Sequence, residues 1–448
     1  MTALAHSIAL DPTPEQEKHL RSACAKARHI FNWGLALRNE TYARIEWGLS
    51  FKDLSKIYTW SLHNWPWHSE YPRAIADHAL KDVDIGWKNF FRELKKGSKR
   101  AGKPRFKRYG QHDAFYVHNN TLKILEGNRF APLGSRHPCG YIKGFESLRF
   151  DGKVMGARVV RRADRWFLSI QVDVGDDYAR ERTDRGAVGI DLGIKTAVML
   201  STGESFDSPK PLRNAQRALT KAQRRLKNKS RHICSVCGKA WSAKAISPSK
   251  GSSPSAKGVR RTCPDCGGKL VRRASKNYEK QKMKVARLHR RVADIRSDFL
   301  NKVTTEVCRR FDIIVIEDLN VSGMMSNHKL ARAISDIGFH EFRRQLEYKS
   351  PLYGGQVFVA DKWYPSSKTC SQCGCVREKL NLSERTYVCT ECGFEVDRDL
   401  NAAINLKNLA AGLAVTARGG DGSATSSDKQ PAPMKREPRA TERAASMA

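Results

Sequence analysis

Residues 186–204 have the sequence GAVGIDLGIKTAVMLSTGE, and residues 311–319 have the sequence FDIIVIEDL. In the first stretch, two apolar segments flank the turn Asp-Leu-Gly-Ile-Lys, which predicts a β-hairpin. The second stretch is a short apolar run that ends in acidic residues, as is typical of a buried strand. Helical patterns near 211–229, 275–309 and 331–348 and a further strand at 355–363 complete an α/β pattern, which predicts one domain over 183–363.

The residues before this domain divide into a helical part and a β-rich part. A short strand is predicted at 3–10, and residues 13–102 carry apolar residues at helical spacing. Residues 103–182 alternate aromatic and β-branched residues with Gly and Asn, which predicts a β-rich segment of the barrel type.

Two further segments differ in composition from the domains around them. The helices at 211–229 and 275–309 have apolar stripes that we expect to pack on each other. Between them, residues 232–272 form an insertion rich in Ser, Gly, Pro and Lys. Residues 411–448 have almost nothing to bury, and we expect a disordered tail there.

The charge of the chain indicates the class of partner. Its 448 residues include 81 Lys and Arg against 46 Asp and Glu, which gives a net charge of +35 and favours a polyanion. Basic and aromatic residues alternate at 87–96 and 103–109, a combination that suits phosphates and unpaired bases. A hydrophobic fraction of 40% excludes wholesale disorder. We expect neither a membrane span nor a secretory signal, because apolar runs of the required length are absent.

Three acidic residues lie where apolar elements end: Asp191, Glu317 and Asp399. A carboxylate at a buried strand end is costly to desolvate unless a cation neutralises it. Mg²⁺ prefers oxygen ligands, and two such ions can support hydrolysis of a phosphodiester. For any one of these acids, a helix cap or a pair with Lys is an equally good explanation, whereas three in this α/β context favour a metal centre.

Two of these three acids have an acidic neighbour that could be the metal ligand instead. Asp318 follows Glu317, and strand periodicity does not choose between them. Asp397 precedes Asp399, but Asp399 leads directly into the helical run Leu-Asn-Ala-Ala-Ile-Asn-Leu, which favours it at the helix N-terminus.

Eight of the twelve cysteines form Cys-x-x-Cys pairs, and a glycine follows each pair. The pairs at 370–373 and 389–392 are separated by a spacing typical of a structural zinc site. The pairs at 234–237 and 263–266 are separated by a longer gap, but the extra length is low-complexity sequence. We therefore predict two structural zinc sites, formed by Cys370, Cys373, Cys389 and Cys392 and by Cys234, Cys237, Cys263 and Cys266. The other four cysteines are expected to be core or incidental thiols.

Four motifs in this order resemble the transposon-encoded RNA-guided nuclease family TnpB and the compact type V CRISPR effectors descended from it. They are Gly189-Ile-Asp-Leu-Gly-Ile-Lys195, Val315-Ile-Glu-Asp-Leu-Asn320, Ser367-Lys-Thr-Cys-Ser-Gln-Cys-Gly374 and Cys389-Thr-Glu-Cys-Gly-Phe-Glu-Val-Asp-Arg-Asp-Leu-Asn-Ala-Ala403. The resemblance covers residues 1 to about 410. By motif match it implies that Asp191, Glu317 and Asp399 are the catalytic residues, which selects Glu317 over Asp318 by analogy.

The resemblance also implies a multidomain α+β fold. A helical recognition domain (13–102) is inserted in a wedge β-barrel (1–12 and 103–182). An RNase H-like RuvC nuclease domain follows (183–363 and 399–410), with the zinc-binding insertion (232–272) and a C-terminal zinc ribbon (364–398). The insertion departs from the family pattern, which usually has a shorter link there.

The activity implied is RNA-guided cleavage of DNA beside a short flanking motif, with two Mg²⁺ or Mn²⁺ ions and two structural Zn²⁺ ions. The partners implied are a guide RNA, double-stranded target DNA and its displaced single strand, in the cytoplasm of a prokaryote. Candidates for contact with the flanking motif are His78, Lys81, Asn120 and Thr121. Two alternatives stay open: a guided DNA-binding protein with weak or no cleavage, and an acidic-triad transposase that needs no RNA.

Overall fold

The computed structural model describes residues 2–46, 48–98, 101–110, 113–175, 178, 184–242, 262–273, 275–381 and 384–418. None of the helices in these ranges combines the length and the apolarity that a bilayer crossing needs.

The N-terminal strand belongs to a seven-stranded sheet. Its strands are β1 (Ala3–Asp11), β2 (Ala114–His118), β3 (Lys123–Leu125), β4 (Arg129–Ala131), β5 (Ile142–Gly144), β6 (Lys153–Arg162) and β7 (Arg165–Asp173). They are hydrogen-bonded in the order β2-β6-β7-β1-β5-β4-β3. Among the described strands, β2 and β3 each have one neighbour, so the sheet curls without closing into the hydrogen-bonded barrel that we predicted. Closure requires a continuous ladder, whereas β3, β4 and β5 have three residues each.

Together with two short 3₁₀ helices (Ser61–Asn64 and Pro66–His68), three α-helices lie between β1 and β2, where a helical insertion is predicted. They are α1 (Pro14–Ile45), α2 (Phe51–Trp60) and α3 (Arg73–Lys95). The first begins in a capping box, in which Thr13 and Gln16 exchange side-chain-to-backbone hydrogen bonds of 3.3 and 3.0 Å. The first half of α1 packs in a core on the sheet, and its second half packs with α2 and α3 in a second core.

The remaining elements follow in chain order from residue 187. They are β8 (Ala187–Asp191), β9 (Val198–Leu200), β10 (Ser205–Phe206), α4 (Pro211–Lys229), β11 (Arg231–Cys234), β12 (Ala240–Ser242), β13 (Leu270–Arg273), α5 (Lys276–Arg310), β14 (Ile313–Glu317), α6 (Val321–Met325), α7 (Ala331–Ile337), α8 (Phe339–Leu352), β15 (Gln356–Ala360), β16 (Thr386–Val388), β17 (Glu395–Asp397) and α9 (Arg398–Arg418).

A five-stranded sheet in the order β10-β9-β8-β14-β15 forms the centre of the second half. Strands β8, β14 and β15 are parallel, and β9 returns antiparallel to β8 as the predicted hairpin. Helices α5, α7 and α8 supply buried side chains to the core on this sheet, and α9 packs on β8 and β14. The predicted α/β pattern is confirmed.

The helices on either side of the insertion pack together, as predicted. Gln281 Nε2 on α5 donates to the carbonyl oxygen of Ala222 on α4 at 3.0 Å. The second half of α5 leaves this pair and packs into the core of the five-stranded sheet through Leu300, Val303 and Val307.

Two boundaries differ from the prediction. The helix expected at 331–348 is two helices, because Gly338 adopts φ +82° and ends α7. The last helix continues to Arg418, past the predicted start of the tail at 411, because residues 409–417 are rich in Ala and Leu. The rest of the predicted tail, 419–448, lies outside the described residues.

Candidate active site and metal centres

Asp191 and Glu317 lie side by side at one edge of the five-stranded sheet. Asp191 is the last residue of β8, and Glu317 is the last residue of β14. These strands are parallel, and Ile190 is paired with Ile316 in the ladder. Asp191 and Glu317 therefore occupy matched positions, and their side chains lie on the same face and at the same edge of the sheet.

The third acid reaches this edge on α9. Asp399 lies in the first turn of α9, and its Oδ2 is 3.9 Å from the point where a Cβ of Gly193 would be. Close packing of α9 depends on Gly189 in β8. A Cβ at Gly189 would be 2.0 Å from the carbonyl oxygen of Ala403 and 2.4 Å from the backbone nitrogen of Lys407. The missing side chain thus lets the helix backbone contact the strand.

The environment of Asp191 strongly favours its protonated form. Desolvation and the negative charges of Glu317 and Asp399 raise the pKa of Asp191 to about 8, against the opposing charge of Arg398. A divalent cation relieves the same repulsion that a proton relieves, so this donor set fits Mg²⁺ or Mn²⁺. The carboxylates are spaced more widely than the cysteine sulfurs, because within the described ranges only the two cysteine sets have all ligand atoms within 4.8 Å of one another.

Contacts distinguish Glu317 from Asp318. The hydroxyl of Ser366 donates a hydrogen bond to Glu317 Oε1. Asp318 instead accepts from Arg343 Nη1 on α8 at 2.7 Å. Asp318 is about half exposed and points to Arg343, whereas the charge of Glu317 acts directly on Asp191. Glu317 is therefore the better candidate for the acidic centre, which we define as Asp191, Glu317 and Asp399.

Contacts also distinguish Asp399 from Asp397. Asp397 Oδ1 accepts the backbone N–H groups of Asp399 and Leu400 at 2.9 and 3.1 Å and therefore caps α9. Asp399 accepts from Arg398 Nη2 at 2.9 Å. Asp399 thus lies at the helix N-terminus, as predicted, while the side chain of Asp397 is engaged by the helix backbone.

The C-terminal cysteine set has the geometry of a zinc site. The Sγ atoms are 3.7 Å apart for Cys370 and Cys392 and 3.5 Å apart for Cys373 and Cys389. Four sulfurs in tetrahedral arrangement about 2.3 Å from one zinc ion are separated by about 3.8 Å. The glycines after each pair have φ +76° and +69°, which explains why glycine stands at both positions.

The second cysteine set has the same geometry. Its Sγ atoms are 3.3 Å apart for Cys234 and Cys266 and 3.8 Å apart for Cys237 and Cys263. Strands β11 and β13 hold the two pairs together, while the long linker at 243–261 lies outside the described residues. Both sets could hold zinc, and four thiolates leave no open position for a substrate. The other cysteines lie outside both sets: Cys24, Cys139, Cys308 and Cys375.

Two buried asparagines on α9 attach the C-terminal cysteine set to the acidic centre. Asn401 donates to the carbonyl oxygen of Thr369 at 2.7 Å and accepts the N–H of Ser371 at 3.0 Å. Asn405 donates to the carbonyl oxygens of Thr369 and Ser366 at 2.6 and 2.8 Å. This asparagine clamp, Asn401 and Asn405, therefore joins residues 366–371 to the helix that carries the third carboxylate.

The candidates for contact with a flanking motif lie where α3 meets β2. His78 stacks on Tyr116 with ring centroids 3.3 Å apart, and burial lowers the pKa of His78. Asn120 and Thr121 form the turn after β2. Lys81 is on the same helix as His78, but its ammonium group lies 5.2 Å from the ring centroid of Phe51 on α2.

Sequence reasoning missed several residues of this region: Ser366, Arg398, Asn401 and Asn405. One signal was available for the asparagines, because they are four positions apart and interrupt the apolar residues of α9 on one face.

Known proteins are similar to this chain over most of its length. Family models match residues 339–406 ("Cas12f1-like, TNB domain"), residues 169–233 and 269–328 ("Probable transposase") and residues 1–46 ("Helix-turn-helix domain"). Two relatives carry the name "Putative RNA-guided DNA endonuclease". The protein from Streptomyces pristinaespiralis is 34% identical over 91% of this chain and 89% of its own length. InsQ from Escherichia coli (strain K12) is 30% identical over 93% of this chain and 94% of its own length.

The chain belongs to the TnpB family of RNA-guided nucleases. Among solved structures, the mini-RNA-guided endonuclease CRISPR-Cas_phi3 aligns with 94% of each chain at 11% identity and a TM-score of 0.44. The segment matched by the helix-turn-helix model has a different structure in this TnpB-family chain. Over residues 2–46 it consists of β1 and one continuous helix.

Proposed function

We propose that the chain is an RNA-guided DNA endonuclease. A guide RNA pairs with one strand of a target DNA, and the acidic centre hydrolyses phosphodiester bonds of the displaced strand and then of the target strand. The products carry 5′-phosphate and 3′-hydroxyl ends. The observation that supports this best is the convergence of Asp191, Glu317 and Asp399, which raises the pKa of Asp191 to about 8 and fits a divalent cation.

Asp191, Glu317 and Asp399 are the residues that would hold the metal. Two Mg²⁺ or Mn²⁺ ions supply an activated water and a counter-charge for the leaving oxygen. Other side chains of the chain orient the ligands. Ser366 holds one oxygen of Glu317, and Arg398 balances the charge of Asp399 until a cation takes that role.

Basic helices supply the surface for the nucleic acids. Helix α4 carries Lys and Arg on most of its exposed face and contains no acidic residue, and α5 continues this surface on the other side of the insertion. Such a surface binds phosphates by releasing counterions. We assign to this surface the guide RNA and the duplex that it forms with the target strand. We assign the flanking DNA motif to His78, Lys81, Asn120 and Thr121.

The domain roles follow the predicted boundaries. The curled sheet (1–12 and 103–182) acts as the wedge domain and carries the helical recognition domain (13–102). The nuclease domain (183–363 and 399–410) carries the insertion (232–272) and the C-terminal ribbon (364–398). Each cysteine set holds one structural zinc ion in this proposal, because four thiolates complete a tetrahedral site.

The test compares three purified proteins with their copurified RNA: wild type, Asp191→Ala and Asp318→Ala. We expect Mg²⁺-dependent cleavage of matched DNA by wild type, none by Asp191→Ala, and unchanged binding of RNA and target by both variants. Asp318→Ala is the matched control, because Asp318 pairs with Arg343 and cleavage should persist.

Three results would contradict the proposal. Cleavage by Asp191→Ala would show that the site is elsewhere. Tight target binding by wild type without any cleavage would favour the guided binding protein. Strand transfer in the absence of RNA would favour the transposase.

A further inference from the structure

A short loop, residues 360–366, is attached to Glu317 at both of its ends. Strand β15 ends at Ala360, which is the ladder partner of Glu317. The loop closes at Ser366, whose hydroxyl donates to Glu317. Trp363 lies midway between these two anchors, three residues from each. Three Cα-to-Cα steps keep its Cα within about 11 Å of either anchor, so its backbone lies within about one or two nucleotides of the proposed catalytic edge.

The loop holds Trp363 in a defined conformation. The backbone N–H of Trp363 donates to Asp361 Oδ1 at 2.8 Å, and the backbone N–H of Tyr364 donates to the carbonyl oxygen of Asp361 at 3.0 Å. Tyr364 is half-buried against α9 and the sheet, and its hydroxyl donates to the carbonyl oxygen of Asn405 at 3.4 Å. Hydrogen bonds and packing on both sides of Trp363 therefore position its backbone.

Trp363 is nevertheless 81% exposed. Tryptophan has more apolar surface to bury than most side chains, so presenting it to water on an ordered loop leaves a large favourable contact unmade. The ammonium group of Lys362 lies 4.9 Å from the ring centroid. The ammonium lies over one face of the ring, so a base can stack on the opposite face while a phosphate of the same strand pairs with the cation.

We propose that Trp363 is a stacking platform for an unpaired base of the DNA strand that enters the acidic centre, with Lys362 on an adjacent phosphate. The platform selects single-stranded nucleic acid, because both faces of a paired base inside a duplex are already covered. It fixes the register of the strand relative to Glu317. That the bound strand is DNA follows from the proposed nuclease function, on which this inference rests.

The test measures binding in an Asp191→Ala background, so that the strand stays intact. A short thymidine strand with one 2-aminopurine, and a duplex of matched length, are titrated onto the protein with its copurified RNA. Trp363→Ala should weaken binding of the single strand about 5- to 150-fold and abolish the stacking-induced quenching of 2-aminopurine. Trp363→Phe should retain most of the affinity, and the duplex should bind all variants equally. Trp60→Ala is the matched control, because Trp60 is 74% exposed at the end of α2.

Equal affinity of Trp363→Ala and its parent for the single strand would overturn the platform, even if the wild type cleaves DNA. Self-association that is lost in Trp363→Ala would overturn it as well, because a second copy of the chain would then cover the ring. A wild type that never cleaves refutes the nuclease function instead. The binding measurements do not depend on cleavage and still decide the platform.

Discussion

Replacing Gly189 by alanine tests how α9 positions the third carboxylate. The new Cβ would lie 2.0 Å from the carbonyl oxygen of Ala403, where ordinary contact begins at 3.4 Å, and 2.4 Å from the backbone nitrogen of Lys407. Both atoms belong to the helix backbone and cannot rotate away. Helix α9 therefore has to move outward by about 1.4 Å, and Asp399, one turn earlier on the same helix, moves with it.

Two magnitudes follow from this displacement. Overpacking of this kind costs about 1–3 kcal/mol of unfolding free energy. Misplacing a catalytic group by about 1 Å lowers a rate by about 100-fold. We expect Gly189→Ala to lose cleavage by about this factor while its binding of guide RNA and target DNA is unchanged.

The assay is single-turnover cleavage of matched DNA at saturating Mg²⁺, with urea unfolding measured on the same preparations. Gly48→Ala serves as the control, because its new Cβ would lie 3.9 Å from Arg38 Nη2, which is ordinary van der Waals contact. A Gly189→Ala protein that cleaves at the wild-type rate would refute the idea that contact between α9 and β8 sets the position of Asp399.

Three further perturbations address other parts of the site. Ser366→Ala removes the hydroxyl that holds the second carboxylate, so half-maximal cleavage should require more Mg²⁺. Ser367→Ala is the control, and identical Mg²⁺ titrations would argue against an orienting role. Because the folded-state pKa of Asp191 is raised above its unfolded-state value, the metal-free protein should lose stability as pH rises from about 4 to about 8. The unfolding midpoint of Asp191→Asn in Mg²⁺-free buffer should lack this decrease, and parallel pH profiles for the two proteins would contradict it. Cys370→Ser should abolish cleavage and lower bound zinc by one ion, because residues 366–371 hold the acidic centre. Cys237→Ser should lower bound zinc equally but leave the cleavage rate of the assembled complex close to wild type, and equal losses of activity would contradict this separation.

The three acids could be selected from the sequence because each of them lies where an apolar element ends. That Asp191 and Glu317 end neighbouring strands was not predicted, because it depends on the parallel pairing of β8 with β14. The cysteine sets could be predicted because two Cys-x-x-Cys pairs leave few alternatives to a common site, and the structure gathers both.

The parts of the fold and of the site that the sequence did not predict depend on contacts between residues that are far apart in the chain. Periodicity could not choose between Glu317 and Asp318, and the structure distinguishes them by Ser366 and by Arg343. The orientation of the Ser366 hydroxyl depends on a strand end 49 residues earlier. The open edges of the curled sheet depend on strands too short to show an alternating pattern. Gly338 was visible in the sequence, but a single glycine inside a helical pattern does not by itself show where a helix ends.

The position of α9 near the end of the chain has a consequence for synthesis. Asp191 and Glu317 leave the ribosome well before Asp399, which follows Asp191 by about 200 residues. At about 5–20 residues per second, roughly 10–40 s separate the first carboxylate from the third. Over the last 82 residues of that interval (399 − 317), after Glu317, the nascent chain contains the basic helices α4 and α5 but lacks one of the three acids. Under the proposed function, such a chain can bind its RNA before it is able to cut.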